Sequence, residues 1–281
     1  MTNALQIEKA QAFLAMHQGH DILVLPNAWD TGSAVMFAAA GFAAIGTTSA
    51  GVAYSFGYPD GEVLPRELLL DFVRRTAARV SQPLTVDIEE GFGTAPDQIA
   101  KFTGQIVECG AVGVNLVDAF ANDSRTLTDI QAHCEIVRAA AAQKQVTGIP
   151  FVLNARVNTP WYPVSSTTSL LDQAIERCNH FLEAGADCAF VPGVSDPSEI
   201  STLVREVDGP INILTSAACP DVSALNDLGV ARISLGSGPA RAMLGRTQDI
   251  IDELKTQGRF DRIFECSIDY HEANRCFARD V

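Results

Sequence analysis

Three carboxylates crowd into four positions of the stretch VDIEEGFG (86–93), directly after a run of apolar residues. If that run is a strand that continues to residue 89, Asp87 and Glu89 point to the same side, because strand side chains alternate. Two oxygen ligands on one face suit a hard cation such as Mg²⁺, which also keeps several bound waters. A helix cap or a salt-bridge pair is the alternative explanation. We expect a metal site here that binds Mg²⁺, with Mn²⁺ as the alternative ion.

A second group of polar residues lies in the loop GTTSAGVAYSFGYPDGE (46–62). Small residues at Ser49, Ala50 and Gly51 allow successive backbone N–H groups to point at a bound carboxylate. Asp60 lies in the tetrapeptide YPDG, which is also a favourable turn sequence. The loop therefore indicates an anion-binding backbone, and the role of its acid stays open between turn residue and ligand.

Two further segments carry candidate chemistry. Arg156 closes the apolar run FVLNAR, and an arginine at that depth pairs either with the neighbouring acids or with a substrate carboxylate. The stretch LGSGPARAMLG (235–245) has two glycines before a helix start, which is typical of a phosphate cradle. A tight turn with Pro239 at the first helical position also explains that stretch, and we prefer the turn.

A scaffold must position these residues, and the chain alternates short apolar runs with longer helical patterns. The apolar runs are nearly continuous, which is typical of parallel strands buried on both faces. Eight such β-then-α units predict a (β/α)8 TIM barrel, whose active site lies at the carboxyl ends of the strands. The predicted strands are 22–27, 43–49, 84–89, 111–118, 151–156, 188–193, 211–216 and 231–236.

The 281-residue chain has no linker rich in Pro, Gly or Ser, so we expect one barrel domain over residues 1–281. Residues 246–281 follow the eighth unit, and we expect them to form a C-terminal helical extension. This domain is long enough for a complete barrel.

Charge and composition exclude several kinds of partner. The net charge of −14 argues against a nucleic-acid partner, which needs a basic surface. We find neither a signal-peptide pattern nor an apolar run of about eighteen residues, and we therefore expect no membrane partner. The seven cysteines are scattered without metal-binding spacing, which is typical of reduced thiols in a cytoplasmic protein.

Several motifs, in their order along the chain, resemble one known group of enzymes. The motifs are LPNAWDTGSAVMFAAAGFAAIGTTSAGVAYSFGYPDGE, VDIEEGFG, AVGVNLVD, NARVN, EAGADCAFVPGVSDP and LGVARISLGSGPARAML. Over about residues 10–245 the chain resembles the isocitrate lyase/phosphoenolpyruvate mutase superfamily, and in particular its short bacterial members of undefined reaction. The joint order of the motifs on successive predicted strands is far more specific than any one of them.

The resemblance implies a modified TIM barrel whose last barrel helix is swapped between subunits, which gives a homodimer or homotetramer. It implies Mg²⁺ at the barrel mouth, with Asp87 as the principal ligand and with Glu89 and Asp60 binding through water. The substrate is implied to be a small 2-oxo carboxylate that accepts hydrogen bonds from backbone N–H groups of the loop after the second predicted strand. The implied substrate-binding residues are Trp29, Thr48, Ser49, Ala50, Asn115 and Arg156, and the implied catalytic residues are Arg156 and Asp60.

Four departures from the superfamily pattern bear on the reaction, and one is that Pro192 and Gly193 stand where the lyases carry a substrate-binding acid after the sixth predicted strand. The lyases carry a KKCGH loop whose cysteine acts as an acid, and the corresponding stretch here reads AFANDSRTLTDIQAHCE. Val117 stands where relatives carry a strand-end acid, and Asn158 replaces the aspartate of their ARTD motif. The missing cysteine argues against ordinary cleavage of isocitrate or methylisocitrate.

We therefore expect an enzyme: a Mg²⁺-dependent lyase that cleaves a C–C bond of a small 2-oxo or 2-hydroxy carboxylate through a metal-stabilised enolate. Oxaloacetate-like and methylisocitrate-like acids are examples of such a substrate. One alternative is a C–P bond enzyme of the phosphonomutase or phosphonopyruvate hydrolase type. Another is a non-catalytic 2-oxo acid binder on the same scaffold. A sugar-phosphate enzyme that uses 235–245 is disfavoured, because no lysine or histidine closes a predicted strand.

Overall fold

The computed structural model describes residues 3–118, 127, 129–158 and 169–278. The strands in these ranges are short and carry almost entirely buried side chains. They are β1 Leu23–Leu25, β2 Asn27–Ala28, β3 Ile45–Thr47, β4 Leu84–Asp87, β5 Gly113–Val117, β6 Val152–Arg156, β7 Cys188–Val191, β8 Ile211–Leu214 and β9 Arg232–Ser234.

All neighbouring strands pair in parallel, and together they form a nearly closed barrel in the order β1-β9-β8-β7-β6-β5-β4-β3-β2. The gap in this ring lies between β1 and β2, which are separated in the chain only by Pro26. A proline has no N–H to donate to a strand ladder, so pairing changes partner at this residue. The predicted strand 22–27 is thus two strands, and the predicted TIM-barrel fold is confirmed with nine strands instead of eight.

Helices separate the strands and cover the barrel. They are α1 Asn3–Met16, α2 Thr31–Ala39, α3 Ser49–Ser55, α4 Arg66–Arg79, α5 Pro96–Glu108, α6 Ile130–Thr147, α7 Leu170–Glu183, α8 Pro197–Glu206, α9 Val222–Asp227, α10 Gly238–Gln257, α11 Asp261–Glu265 and α12 Tyr270–Phe277. Their starts follow local rules: Asp30 and Ser33 form a reciprocal capping box on α2, and Asp196 caps α8 just before a proline. None of the described helices has the length and apolarity needed to cross a bilayer.

The apolar core fills the barrel and the space between strands and helices. Every residue of β5 is buried, as expected for a parallel strand covered on both faces. At the amino end of the barrel, Phe13 of α1 is fully buried, and a Cβ atom on Gly113 would lie 2.8 Å from its ring. This close approach closes the amino end, which leaves the carboxyl ends of the strands as the open face.

The last barrel helix leaves most of its surface uncovered. Of the twenty residues of α10, only Ala240 and Glu253 are buried. Residue 246, where we expected the C-terminal extension to begin, lies in the middle of this helix. The chain then returns to the barrel through α12, where Arg79 donates a hydrogen bond to the carbonyl oxygen of Phe277 at 3.0 Å.

Candidate active site

A cavity of about 400 Å³ opens at the carboxyl ends of the strands. Seven of the predicted site residues line it, contributed by the ends of β4 and β6, by the middle of β5 and by the segment after β3. The cavity is lined by Asn27, Thr47, Thr48, Ser49, Ala50, Tyr54, Asp60, Asp87, Asn115, Arg156, Phe190, Leu214, Ser234, Gly236, Ser237 and Arg241.

Asp87 is the acid held most firmly at this cavity. It ends β4 with only 8% of its surface exposed, and its backbone N–H donates to the Thr47 hydroxyl at 3.0 Å. Its carboxylate accepts the Glu89 N–H at 3.2 Å and the Ser49 hydroxyl at 3.4 Å. Burial raises the pKa of this carboxyl, and the positive charge of Arg156 partly opposes that rise.

Glu89 does not continue the strand, so the alternation argument that paired it with Asp87 is wrong. β4 ends at Asp87, and Glu89 has a positive φ of 51°. Its side chain turns away from the cavity lining and accepts the N–H groups of Gly61 and Glu62 at 3.0 and 2.9 Å. Burial, and then the charges of Asp60 and Asp87, raise the pKa of Glu89 to about 8. Glu89 therefore anchors the loop that carries Asp60, and it adds negative charge beside that residue only where the pH exceeds its pKa of about 8.

The donor set fits a hard divalent cation that keeps part of its water shell. Among the described residues, Asp60, Asp87 and Glu89 form no salt bridge, although they repel one another. No three Asp, Glu, His or Cys side chains in the described ranges converge closely enough to enclose an ion by themselves. Two facing carboxylates with room for water match the ligation that Mg²⁺ prefers.

The segment after β3 supplies backbone donors, but not all of those expected. The N–H of Thr48 is already donated to the carbonyl oxygen of Ala28 at 3.1 Å, so Thr48 contributes its side chain instead. That hydroxyl caps α3 by accepting the N–H of Gly51. The N–H groups of Ser49 and Ala50 have no acceptor among the described residues and lie at the cavity.

Arg156 is held in place by a chain of contacts that begins outside the cavity. Its Nε donates to Asn158 Oδ1 at 3.0 Å, and its guanidinium lies 5.7 Å from the centre of the Phe190 ring. The N–H of Asn158 donates to Asp118 at 2.8 Å. Arg156 forms no salt bridge with the described acids, so its charge faces the cavity.

Asp118 does not compensate for the acid missing at Val117. Its side chain is fully buried and bonds the N–H of Asn158 and, at 3.3 Å, the guanidinium of Arg177. Most of the stretch that replaces the catalytic-cysteine loop lies outside the described residues. Its Cys134 is inside α6 and is buried with its thiol donating to the carbonyl oxygen of His180. Burial raises the pKa of that thiol.

Trp29 is the other expected residue that does not line the cavity. It packs edge-on against Phe37, with the ring centres 6.4 Å apart, and its backbone N–H donates to the Ser33 hydroxyl.

Several lining residues were not predicted. Asn27 binds the N–H groups of Leu235 and Gly236 at 2.7 and 2.9 Å, and thereby draws the segment after β9 to the cavity. This segment, assigned above to a simple turn, brings Arg241 with it. The glycines of 235–245 were therefore a usable signal for a cavity wall.

A model of the phosphoenolpyruvate phosphomutase family matches residues 13–255 of this chain. The protein belongs to this family. An uncharacterized protein of Mycobacterium tuberculosis is 39% identical over 228 residues, which cover 81% of this chain and 82% of the relative. The 2-methylisocitrate lyase of Escherichia coli is 26% identical over 260 residues, which cover 88% of this chain and 85% of the lyase.

Solved structures agree with the fold over the whole chain. A structure from Burkholderia cenocepacia, named only provisionally as a lyase/mutase, superimposes with a TM-score of 0.91 at 33% identity. The match covers 99% of this chain and 98% of that chain. The names among these relatives span a phosphomutase and a lyase, so the reaction must be argued from the site.

Proposed function

We propose that this protein is a Mg²⁺-dependent lyase that breaks a C–C bond of a small 2-oxo or 2-hydroxy dicarboxylate and leaves an enolate. One observation carries the proposal: a single cavity of about 400 Å³ holds two carboxylates without a salt bridge among the described residues, Asp60 and Asp87, and a facing Arg156. An anionic acid can bind between a cation held by the carboxylates and the arginine. An anion suits this arrangement better than a neutral ligand, because a neutral ligand would leave the bound cation and the half-buried Arg156 guanidinium with no anion between them.

The metal role falls to Asp87 and Asp60, with Glu89 acting through the loop it anchors and through water. Bound Mg²⁺ supplies Lewis-acid stabilisation of negative charge that develops beside a carbonyl group. Because Asp87 is buried and bonds Glu89 N–H and Ser49, its carboxylate is oriented before any ion binds. Such preorganisation lowers the cost of assembling the site.

The remaining lining residues bind and orient the acid. The unused N–H groups of Ser49 and Ala50 donate hydrogen bonds to one carboxylate, as the resemblance implied. Arg156 faces the same space, and Arg241 adds a second guanidinium from the start of α10. Two arginines in addition to the backbone donors favour a substrate with a second carboxylate.

The side chains at the cavity that can donate a proton distinguish among the possible lyase reactions. The described lining residues include Tyr54 but no cysteine or histidine, and Cys134 is committed to a helix interior. A cleavage that requires a thiol acid is therefore a poor match. Loss of CO₂ from an oxaloacetate-like acid fits better, since the enolate that remains can take its proton from water or from the Tyr54 hydroxyl.

A second candidate is a C–P bond reaction on a phosphonopyruvate-like acid. Gly236, Ser237 and Arg241 lie together at one wall of the cavity, where a phosphonate could bind. A phosphonate has three oxygens for such donors, against two for a carboxylate.

One assay separates these candidates. The protein is incubated with Mg²⁺ and oxaloacetate, methylisocitrate or phosphonopyruvate, and pyruvate is followed with lactate dehydrogenase. We expect turnover of oxaloacetate above the uncatalysed rate, lost in Asp87→Asn and retained in the exposed control Asp208→Asn. Pyruvate from phosphonopyruvate alone would select the second candidate. No turnover of any acid, with Mg²⁺-dependent oxalate binding intact, would leave a non-catalytic 2-oxo acid binder.

We also propose that the protein works as a homodimer or homotetramer that shares the last barrel helix. The support is the surface of α10 to α12, where large apolar side chains are exposed, among them Met243, Leu254, Phe260, Phe264 and Tyr270. Monomers seldom leave so many apolar residues together in water. Light scattering coupled to gel filtration tests this, and a monomer at micromolar concentration would refute it.

A further inference from the structure

We infer that Arg232, inside the barrel and outside the cavity lining, is a positioning residue that turns the amide of Asn115 so that its NH₂ group faces the substrate. This inference deepens the proposed function and rests on it. Asn115 would then donate hydrogen bonds to an oxygen of the bound acid and would not be a ligand of the metal.

Arg232 is the largest fully buried side chain among the described residues. It begins β9 and reaches across the barrel, where Nη2 donates to Asn115 Oδ1 on β5 at 3.2 Å. Its Nε donates to the Ser234 hydroxyl at 3.3 Å. No described carboxylate forms a salt bridge with it. Burial lowers the pKa of Arg232 to about 10, so the guanidinium is charged at neutral pH.

The guanidinium determines which way its neighbours face, because an arginine can only donate hydrogen bonds. The Asn115 atom at Nη2 must be the carbonyl oxygen. Asn154 must then turn its own NH₂ group to that same oxygen, at 2.9 Å. This orientation leaves Asn154 Oδ1 buried without a partner, a cost the amide could reduce by flipping if Arg232 did not forbid it.

A second series of hydrogen bonds, from Arg232 through Ser234 to Asn212, also has its direction fixed by the arginine. The Ser234 oxygen accepts from Arg232, so its proton is directed at Asn212 Oδ1, 3.1 Å away. Asn212 Nδ2 is then left buried without a partner. Both unpartnered amide atoms, Asn154 Oδ1 and Asn212 Nδ2, are explained if Arg232 fixes the direction of the hydrogen bonds around it.

The consequence for the cavity follows from the position of Asn115. Asn115 lines the cavity and is the strand partner of Asp87, the principal metal residue. Its oxygen is occupied by Arg232 and Asn154, and its Nδ2 has no acceptor in the described part of the chain. Mg²⁺ takes oxygen ligands, so this NH₂ group is suited to the substrate anion instead. The buried charge of Arg232 also polarises the amide and strengthens it as a donor.

The test uses the full-length protein, with oxalate as the anion, calorimetry as the readout and Mg²⁺ at saturation. Asn115→Asp keeps an acceptor for Arg232 and Asn154 but replaces the NH₂ group with oxygen. We expect it to weaken oxalate binding by about tenfold to a hundredfold, the loss of a hydrogen bond to a charged group. The control Asn179→Asp adds the same charge outside the cavity lining and should bind normally. Unchanged or tighter oxalate binding in Asn115→Asp would show a metal-ligand role and overturn the inference.

A double-mutant cycle tests whether Arg232 acts through Asn115. Arg232→Met should weaken oxalate binding in the wild-type background and have little further effect in Asn115→Leu. An equal loss in both backgrounds would show that Arg232 acts by another route. Arg232→Lys, which still only donates, should restore part of the affinity that Arg232→Met loses, and it replaces Arg232→Met in the cycle if that variant does not fold.

A ligand-free measurement keeps the inference testable if the proposed function fails. In thermal unfolding without metal or oxalate, Asn115→Leu should lower Tm by several degrees more than Asn115→Asp, because only the aspartate still accepts from Arg232. Equal losses would overturn the pairing. Wild-type protein that binds no oxalate would refute the proposed function alone, since the Tm contrast still decides the Arg232–Asn115 pair.

Discussion

Low pH should destabilise this protein through two buried histidines, His17 and His133. The substitution His133→Phe should remove the part of that destabilisation that His133 causes. His133 on α6 is 2% exposed and packs against Phe181, with the two rings tilted and their centres 4.7 Å apart. Burial, and then the charge of Arg177, lower the pKa of His133 from 6.5 to about 3. Burial, and then the charge of Arg232, do the same to His17, whose Nδ1 bonds the carbonyl oxygen of Phe13 at 2.8 Å.

The sign and size follow from linkage. Between pH 6.5 and about 3 the unfolded chain binds a proton at each of these histidines and the folded chain does not, so stability falls as pH falls. At pH 4.5, about 2 pH units below the pKa of the unfolded chain, each histidine lowers the free energy of unfolding by about 2.7 kcal/mol. The pair together costs about 5 kcal/mol, a large part of the 5–15 kcal/mol that usually holds a domain folded.

The assay is urea unfolding of wild type, His133→Phe and the exposed control His20→Gln at pH 7 and pH 4.5. The free energy of unfolding should drop by about 2.7 kcal/mol less in His133→Phe than in wild type. Any packing cost of the larger ring is present at both pH values and cancels in this difference. His20→Gln should keep the wild-type drop. An identical pH dependence in His133→Phe and wild type would refute the assigned cause.

Three other predictions concern the site and its assembly. Glu89→Gln keeps an acceptor for the N–H groups of Gly61 and Glu62 but cannot ionise, so Mg²⁺ affinity measured above the Glu89 pKa of about 8 should fall by about tenfold or more in calorimetry with Tm preserved. Cys134→Ser should leave any turnover unchanged, because the buried thiol only bonds His180; a large loss of kcat would assign it a role. Leu254→Asp should shift gel-filtration elution toward the monomer, unlike the control Lys255→Gln, because Leu254 belongs to the exposed apolar surface.

The barrel and much of the site were accessible from the sequence for one physical reason. Parallel strands in a barrel all end at the same edge, so residues that close different strands must meet there. Asp87, Asn115 and Arg156 each end or nearly end an apolar run, and the structure brings them to one cavity. The strand break at Pro26 was also readable, since a proline cannot donate to the ladder.

Other features depended on where the backbone turns after a strand ends. Glu89 was assigned to the Asp87 face by strand alternation, but its positive φ sends the carboxylate to the loop of Gly61 and Glu62. The resemblance assigned the loop that contains Thr48 to the substrate, but the backbone N–H of Thr48 donates to the carbonyl oxygen of Ala28 on the neighbouring strand β2. Local periodicity is lost at the first residue that leaves the ladder, and tertiary contacts then decide the direction of a side chain.

The contacts across the barrel were decided by tertiary structure alone. Arg232 and Asn115 are 117 positions apart in the chain, and their hydrogen bond exists only because strand register and barrel closure place β9 opposite β5. The sequence determined that polar residues would gather at the carboxyl ends of the strands. The closed barrel determined which of them are buried and paired, and therefore which atoms remain for a ligand, because an atom already bonded to a buried neighbour is not available to a ligand.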